Sequence, residues 1–126
     1  MPIYHNQLDT LPADTERVFR TIFKADLRNT PCSLHENVLV AHAVIPLHVH
    51  SVTEILICLS GTAECSFNGA AAEAYAAGSV VVIPPNTPHT IRNTGDALLR
   101  QLSFLAGDPP ETRWLQAPGS VDHVAP

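Results

Sequence analysis

The stretch PLHVHSVTE, residues 46–54, carries two histidines one residue apart and a glutamate four residues after the second. In an extended chain, side chains at i and i+2 share a face about 6.5–7 Å apart, so His48 and His50 point the same way. Glu54 has the same parity and joins them if the chain bends or bulges across Ser51-Val52-Thr53. Two nitrogens and one oxygen converging on a point make an incomplete site for a metal ion. Two exposed histidines on a strand edge are the other reading of this spacing.

A distant stretch, GSVVVIPPNTPHTIRN at residues 78–93, bears on the choice. Gly78 precedes a five-residue strand, followed by Pro84, a tight turn, His89 and Asn93. Here the chain resembles the cupins, a superfamily of small double-stranded β-helix (jelly-roll) barrels. Their first motif is glycine, five residues, His-x-His, three or four residues, Glu, six residues, Gly; this chain supplies His48, His50, Glu54 and Gly61 at those spacings. Their second motif is glycine, five residues, Pro-x-Gly, two residues, His, three residues, Asn; this chain supplies Gly78, Pro84, His89 and Asn93. His42 stands where the first motif opens with glycine, which suggests a differently shaped approach to the strand. Asn86 stands where the second has glycine, a mild departure because asparagine tolerates left-handed turns. The resemblance covers about residues 36–105.

The resemblance implies an all-β, single-domain jelly-roll β-barrel in which His48, His50, Glu54 and His89 bind one divalent metal. Iron, manganese, nickel, zinc and cobalt all suit such ligands. Three neutral imidazoles and a carboxylate would leave a charge of about +1 and roughly two open positions. That charge can hold a carboxylate, an enolate or a developing oxyanion. The implied activity is a dioxygenase or other oxygenase acting on a small, oxygen-rich organic substrate. A non-redox isomerase, cyclase or lyase is the alternative, and it needs a base beyond the ligands, for which Tyr75, His42 and Glu64 are the candidates. A non-catalytic cupin that binds a metal or small ligand is the third reading. Small cupins are commonly homodimers, and a homodimer is expected here.

The elements that must position these groups read as short strands with turn signals every 8–12 residues, the pattern of an all-β sandwich or barrel. Residues 36–45 form a strand candidate stopping at Pro46, and 54–61 and 62–69 form a hairpin around Ser60-Gly61 or Gly61-Thr62. Further strands follow at 71–78, the weakest, and at 79–85, 89–93 and 97–105. Residues 16–27 suit either a helix or a strand, and the strongly β context favours a strand. The expected organisation is an arm and leading strand over 1–35, the barrel over 36–105, and an extended tail over 106–126, pinned by Trp114 and Leu115.

Within residues 97–105, Arg100 shares one face with Leu98, Leu102 and Phe104, and Gln101 shares the other with Leu99 and Ser103. One face lines the cavity, and parity does not say which. An inward Arg100 would clamp a substrate carboxylate; otherwise it pairs with a surface acid. Asn93 is expected to support the strand carrying His89 through a hydrogen bond. Cys58 and Cys65 fall on one face if the hairpin is regular, as buried hydrophobes or, less simply, as a redox pair. His5, His35, His42 and His123 read as solvated or capping residues.

Composition sets the outer limits. The 126 residues fit one domain, and 45% hydrophobic with 15% charged residues describes a packed globule. A net charge of -5, with a single lysine, offers no basic stripe for nucleic acid. No apolar run approaches the roughly 18 residues of a membrane span, and no secretory signal is visible. Three cysteines without scaffold spacing suggest reduced thiols and a cytoplasmic location.

Overall fold

In LRQLSFL, residues 99–105, every second side chain is buried, the period of a strand with one face on a core. The computed structural model describes residues 3–6, 19–107 and 112–116 of the chain. These hold ten strands and no helix: β1 (Phe19–Lys24), β2 (Ser33–Leu39), β3 (Val44–His50), β4 (Glu54–Ser60), β5 (Thr62–Phe67), β6 (Glu73–Ala76), β7 (Val80–Ile83), β8 (His89–Asn93), β9 (Leu99–Leu105) and β10 (Thr112–Trp114). They form two five-stranded antiparallel sheets, ordered β1-β2-β9-β4-β7 and β10-β3-β8-β5-β6. This is the expected all-β jelly roll, and residues 19–24 settle as a strand.

Leu39, Leu56 and Leu99 from the first sheet meet Ile45, Cys65 and Ile91 from the second in the core. Each leucine and isoleucine among them contributes about 1.5–3 kcal/mol by leaving water. Successive strands usually change sheet, so residues near in sequence face one another across the sandwich. The 54–61 and 62–69 pair is therefore not a hairpin: β4 and β5 lie in different sheets. Gly61 makes the corner between them at φ 95, with Leu98 O 2.7 Å from where a Cβ would stand. Cys58 and Cys65 consequently belong to opposite sheets, both buried with free thiols in the hydrophobic core. Burial raises both thiol pKa values, Cys65 to about 12, where the nearby acids Glu54 and Glu73 add to it.

The run 36–45 also divides. A turn closed by Ala43 N–H donating to Val40 O (3.1 Å) separates β2 from β3. His42 sits in that turn at φ 61, the left-handed conformation that glycine adopts without steric cost. Asn86 does the same at φ 59. Pro46 does not end a strand; it lies inside β3, where the pairing with β8 slips by one residue between Ile45 and His48. Such a bulge accommodates a residue that cannot donate to the ladder.

Candidate metal centre

That bulge turns the first two histidines inward. Ile45 pairs with Ile91, so regular register would set Leu47 opposite His89; the extra residue sets His48 there instead. His50 follows two positions later on the same face. Glu54 opens β4 in the other sheet, reached through residues 51–53, and faces the imidazoles across the barrel. His48, His50, Glu54 and His89 thus each bring one donor atom into a group whose members all lie within 4.8 Å of one another. Two donors on opposite sides of a metal at about 2.1 Å stand about 4.2 Å apart. A contraction of about half an ångström therefore suffices to close the group on one ion.

All four residues are buried, and His89 is fully inaccessible. His48 Nδ1 bonds Pro46 O at 2.7 Å, and His89 Nδ1 bonds Thr87 O at 2.9 Å. A carbonyl only accepts, so both rings carry hydrogen on Nδ1, which leaves Nε2 as the atom that can bind a metal. His50 Nδ1 lies 2.8 Å from Thr112 Oγ1, the contribution of β10. Ser103 Oγ donates to Glu54 Oε2. Glu54 Oε1 lies 3.3 Å from His89 Nε2 and 3.5 Å from His50 Nε2. Neither Glu54 Oε1 nor His89 Nε2 makes a hydrogen bond of proper geometry, although both are buried. Two orphaned donor atoms aimed at one point are what a cation would satisfy, and the set fits one.

The electrostatics agree with the ligand form of His48, His50 and Glu54. Burial lowers the His48 pKa to about 4, with the His89 ring adding to the shift. Burial also lowers that of His50, against the pull of Glu54. Burial would raise Glu54, but the adjoining His89 and His50 rings and the Ser103 hydroxyl outweigh it and hold the carboxyl at about 2. At neutral pH the group is thus two neutral imidazoles facing a carboxylate, with His89 as the third nitrogen donor.

A cavity of about 170 Å³ opens beside these donors, walled by Ile45, Leu56, Ile91 and Leu105 with His35, Asn37 and Trp114. The Trp114 ring lies 4.9 Å from that of His48. Leu115 is exposed, and its backbone N–H bonds Leu47 O at 2.8 Å. Of the two faces of β9, the inner one carries Leu99, Gln101, Ser103 and Leu105. Arg100 lies on the outer face, where its guanidinium grips both oxygens of Glu36 at 2.9 and 3.0 Å. It therefore does not reach the cavity.

Tyr75 OH donates to Gln101 Oε1 at 2.9 Å and packs against the core. Burial is the main reason its pKa is pushed well above the ordinary phenol value. Glu64 pairs with Arg92 at 2.9 Å and His42 with Asp96 at 2.9 Å, both at the surface. Asn93 is fully buried, and its Nδ2 donates to Leu39 O, Val40 O and Ala97 O, tying β8 to the end of β2 and to the segment that leads into β9. His5 is exposed, and His123 lies outside the described residues. Sequence reasoning missed Ser103, Thr112, His35 and Asn37 as members of this neighbourhood. Once the inner face of β9 is known, pairing of Asn37 with Gln101 and of His35 with Ser103 would have found the last two.

The family model described as Cupin domain matches residues 35–104, more than half of the chain and the span holding all four donors. The chain is a cupin. Among solved structures it is similar to oxalate decarboxylase from Bacillus subtilis, at 26% identity and TM-score 0.65 over 73% of this chain and 26% of that one. Mn(II) centres are known in that decarboxylase. An oxalate oxidase in complex with the substrate analogue glycolate shares the fold at 19% identity and TM-score 0.63, over 68% of this chain and 46% of that one. DMSP lyase DddQ from Ruegeria pomeroyi DSS-3 shares it at 24% and 0.62, over 72% and 46%. This cupin spans about a quarter of the decarboxylase chain and under half of the other two. No curated protein matches it by sequence. The neighbours act on small molecules, and no helix among the described residues is long and apolar enough to cross a membrane.

Proposed function

We propose that this cupin is a metal-dependent oxygenase acting on a small, oxygen-rich organic molecule. The observation that carries the reading is a complete three-histidine, one-glutamate donor set beside a narrow cavity, while Tyr75, His42 and Glu64 are engaged away from it. With those bases committed elsewhere, reactivity rests on the metal. When bound, a divalent ion supplies the positive charge that gathers adjacent substrate oxygens and, if redox-active, the one-electron chemistry that dioxygen requires. The chain's own contribution is positional. His48, His50, His89 and Glu54 hold the ion with a residual charge of about +1. Ser103 and Thr112 orient Glu54 and His50, and the aliphatic walls with Trp114 limit water, which strengthens every electrostatic contact inside.

The test is oxygen consumption by Fe(II)-, Mn(II)- and Zn(II)-loaded protein against a panel of small hydroxy and keto compounds. Substrate-dependent uptake with iron or manganese and none with zinc is expected. One observation favours a second reading, a non-redox lyase or isomerase: His35 is a non-ligand imidazole on the cavity wall. Turnover under anaerobic conditions with zinc, abolished by His35→Ala, would transfer the assignment to it.

A homodimer belongs to the same proposal. Ile57, Leu59, Val80 and Val82 are exposed on the outer face of β4 and β7, continuous with Ile55, Leu102 and Phe104. An apolar patch on a sheet face is self-complementary, as a two-fold interface between identical copies requires. Sedimentation equilibrium should give twice the chain mass, and Val82→Lys should give the monomer. The free thiols of Cys32, Cys58 and Cys65 support a cytoplasmic location.

A further inference from the structure

Two buried amide atoms in the barrel have no partner and no role in holding the metal. Asn37 is 5% exposed and lines the cavity, yet its Oδ1 makes no hydrogen bond. Its register partner on β9 is Gln101, which is fully buried on the same inward face. Gln101 Oε1 accepts from Tyr75 OH, which fixes the amide and leaves Nε2 unpartnered. The two amides do not bond each other. Buried polar atoms are normally satisfied, and two orphans on register-paired residues, one of them on the cavity wall and the other directly behind it, call for a ligand.

The charge around them limits what that ligand can be. Among the described residues lining the cavity there is no lysine or arginine. Arg100 is held outside by Glu36, and Arg113 lines a separate surface pocket. A second carboxylate at this end would be buried without a counter-charge, with its lone pairs against Asn37 Oδ1. An uncharged group that both donates and accepts would satisfy the two orphans at once.

We propose that Asn37 and Gln101 form the distal end of the substrate site and select a molecule ending in an uncharged carboxamide or hydroxyl. Asn37 Oδ1 accepts that group's hydrogen, and Gln101 Nε2 donates to its oxygen. The inference rests on the metal reading above, which supplies the proximal end of the site. The cavity's volume, about 170 Å³, lies below the range of ordinary ligand pockets and fits a short chain.

The test needs no knowledge of the natural substrate. Mn(II)-loaded protein is titrated calorimetrically with acetate, and with two pairs matched in length, malonate against malonamate and succinate against succinamate. Water-proton relaxation shows whether each probe reaches the metal. Two neutral hydrogen bonds predict that a monoamide of at least one pair binds roughly tenfold more tightly than its diacid. That preference should vanish in Asn37→Leu and in Gln101→Leu, with acetate binding unchanged. Diacids that bind as well as their monoamides, monoamides no better than acetate, or a preference that survives both substitutions would overturn the subsite alone. Protein that retains no Mn(II), or metal that acetate does not reach, would overturn the metal reading and this inference with it.

Discussion

Ser103→Ala removes one hydroxyl and tests how the metal centre is held. Ser103 is fully buried, and its Oγ donates to the Glu54 oxygen that does not face the histidines. A buried hydrogen bond to a charged acceptor contributes about 1.5–3 kcal/mol. Its loss should lower the Tm of metal-free protein by about 5–10 °C, the shift that such an energy gives a domain of this length. Glu54 also loses one of the contacts that hold its carboxyl at about 2, so burial, the opposing influence, raises it. With the carboxylate free to rotate, divalent-metal affinity should fall about 10–100-fold, the usual consequence of losing a partner of a ligand. Competition against a chromophoric chelator measures that affinity, and thermal melts with and without metal separate it from stability. A variant that melts cooperatively and binds metal within about twofold of the parent would refute the reasoning.

Metal-free protein should lose stability as pH falls from about 6.5 towards 4. His48 and His50 have lowered pKa values in the fold, so in that window the unfolded chain binds more protons and stability rises with pH. Urea melts at pH 7.5, 6 and 4.5 measure this, and stability independent of pH would contradict it. Glu54 works in the same direction lower down: its contribution is lost as pH falls below the ordinary carboxyl range towards about 2. Gly61→Ala should destabilise by about 2–4 kcal/mol, because it adds a Cβ at φ 95 against Leu98 O. Denaturant titration checks this, and a change under about 0.5 kcal/mol would show that the corner relaxes freely.

The ligand set was legible because it rests on residue type and spacing, which a one-dimensional string preserves. Most strands were legible for the same reason, through β-branched runs closed by Gly, Pro and Asn. What the string hid was sheet membership. Gly61 reads as a hairpin glycine, and only the long-range pairing of β4 with β9 and of β5 with β8 makes it a corner. Pro46 reads as a strand end, since it lacks an N–H, yet the bulge beside it is what turns His48 to the interior. Arg100 and Gln101 could not be told apart by parity, because both faces of β9 are largely apolar; the outer acid Glu36 decides the matter. Thr112 and His35 come from strands at or near the sheet edges, beyond the reach of local pattern. Their part in the site follows from pairing alone.

The most direct test of the metal centre is elemental analysis of protein saturated with Mn(II) or Fe(II) and dialysed, for the parent, His48→Ala and His89→Ala, each with circular dichroism to verify the fold. One divalent ion per chain in the parent and none in either folded variant is the predicted result. A folded parent without metal, or a folded His89→Ala that keeps its ion, would contradict a single centre built from both sheets.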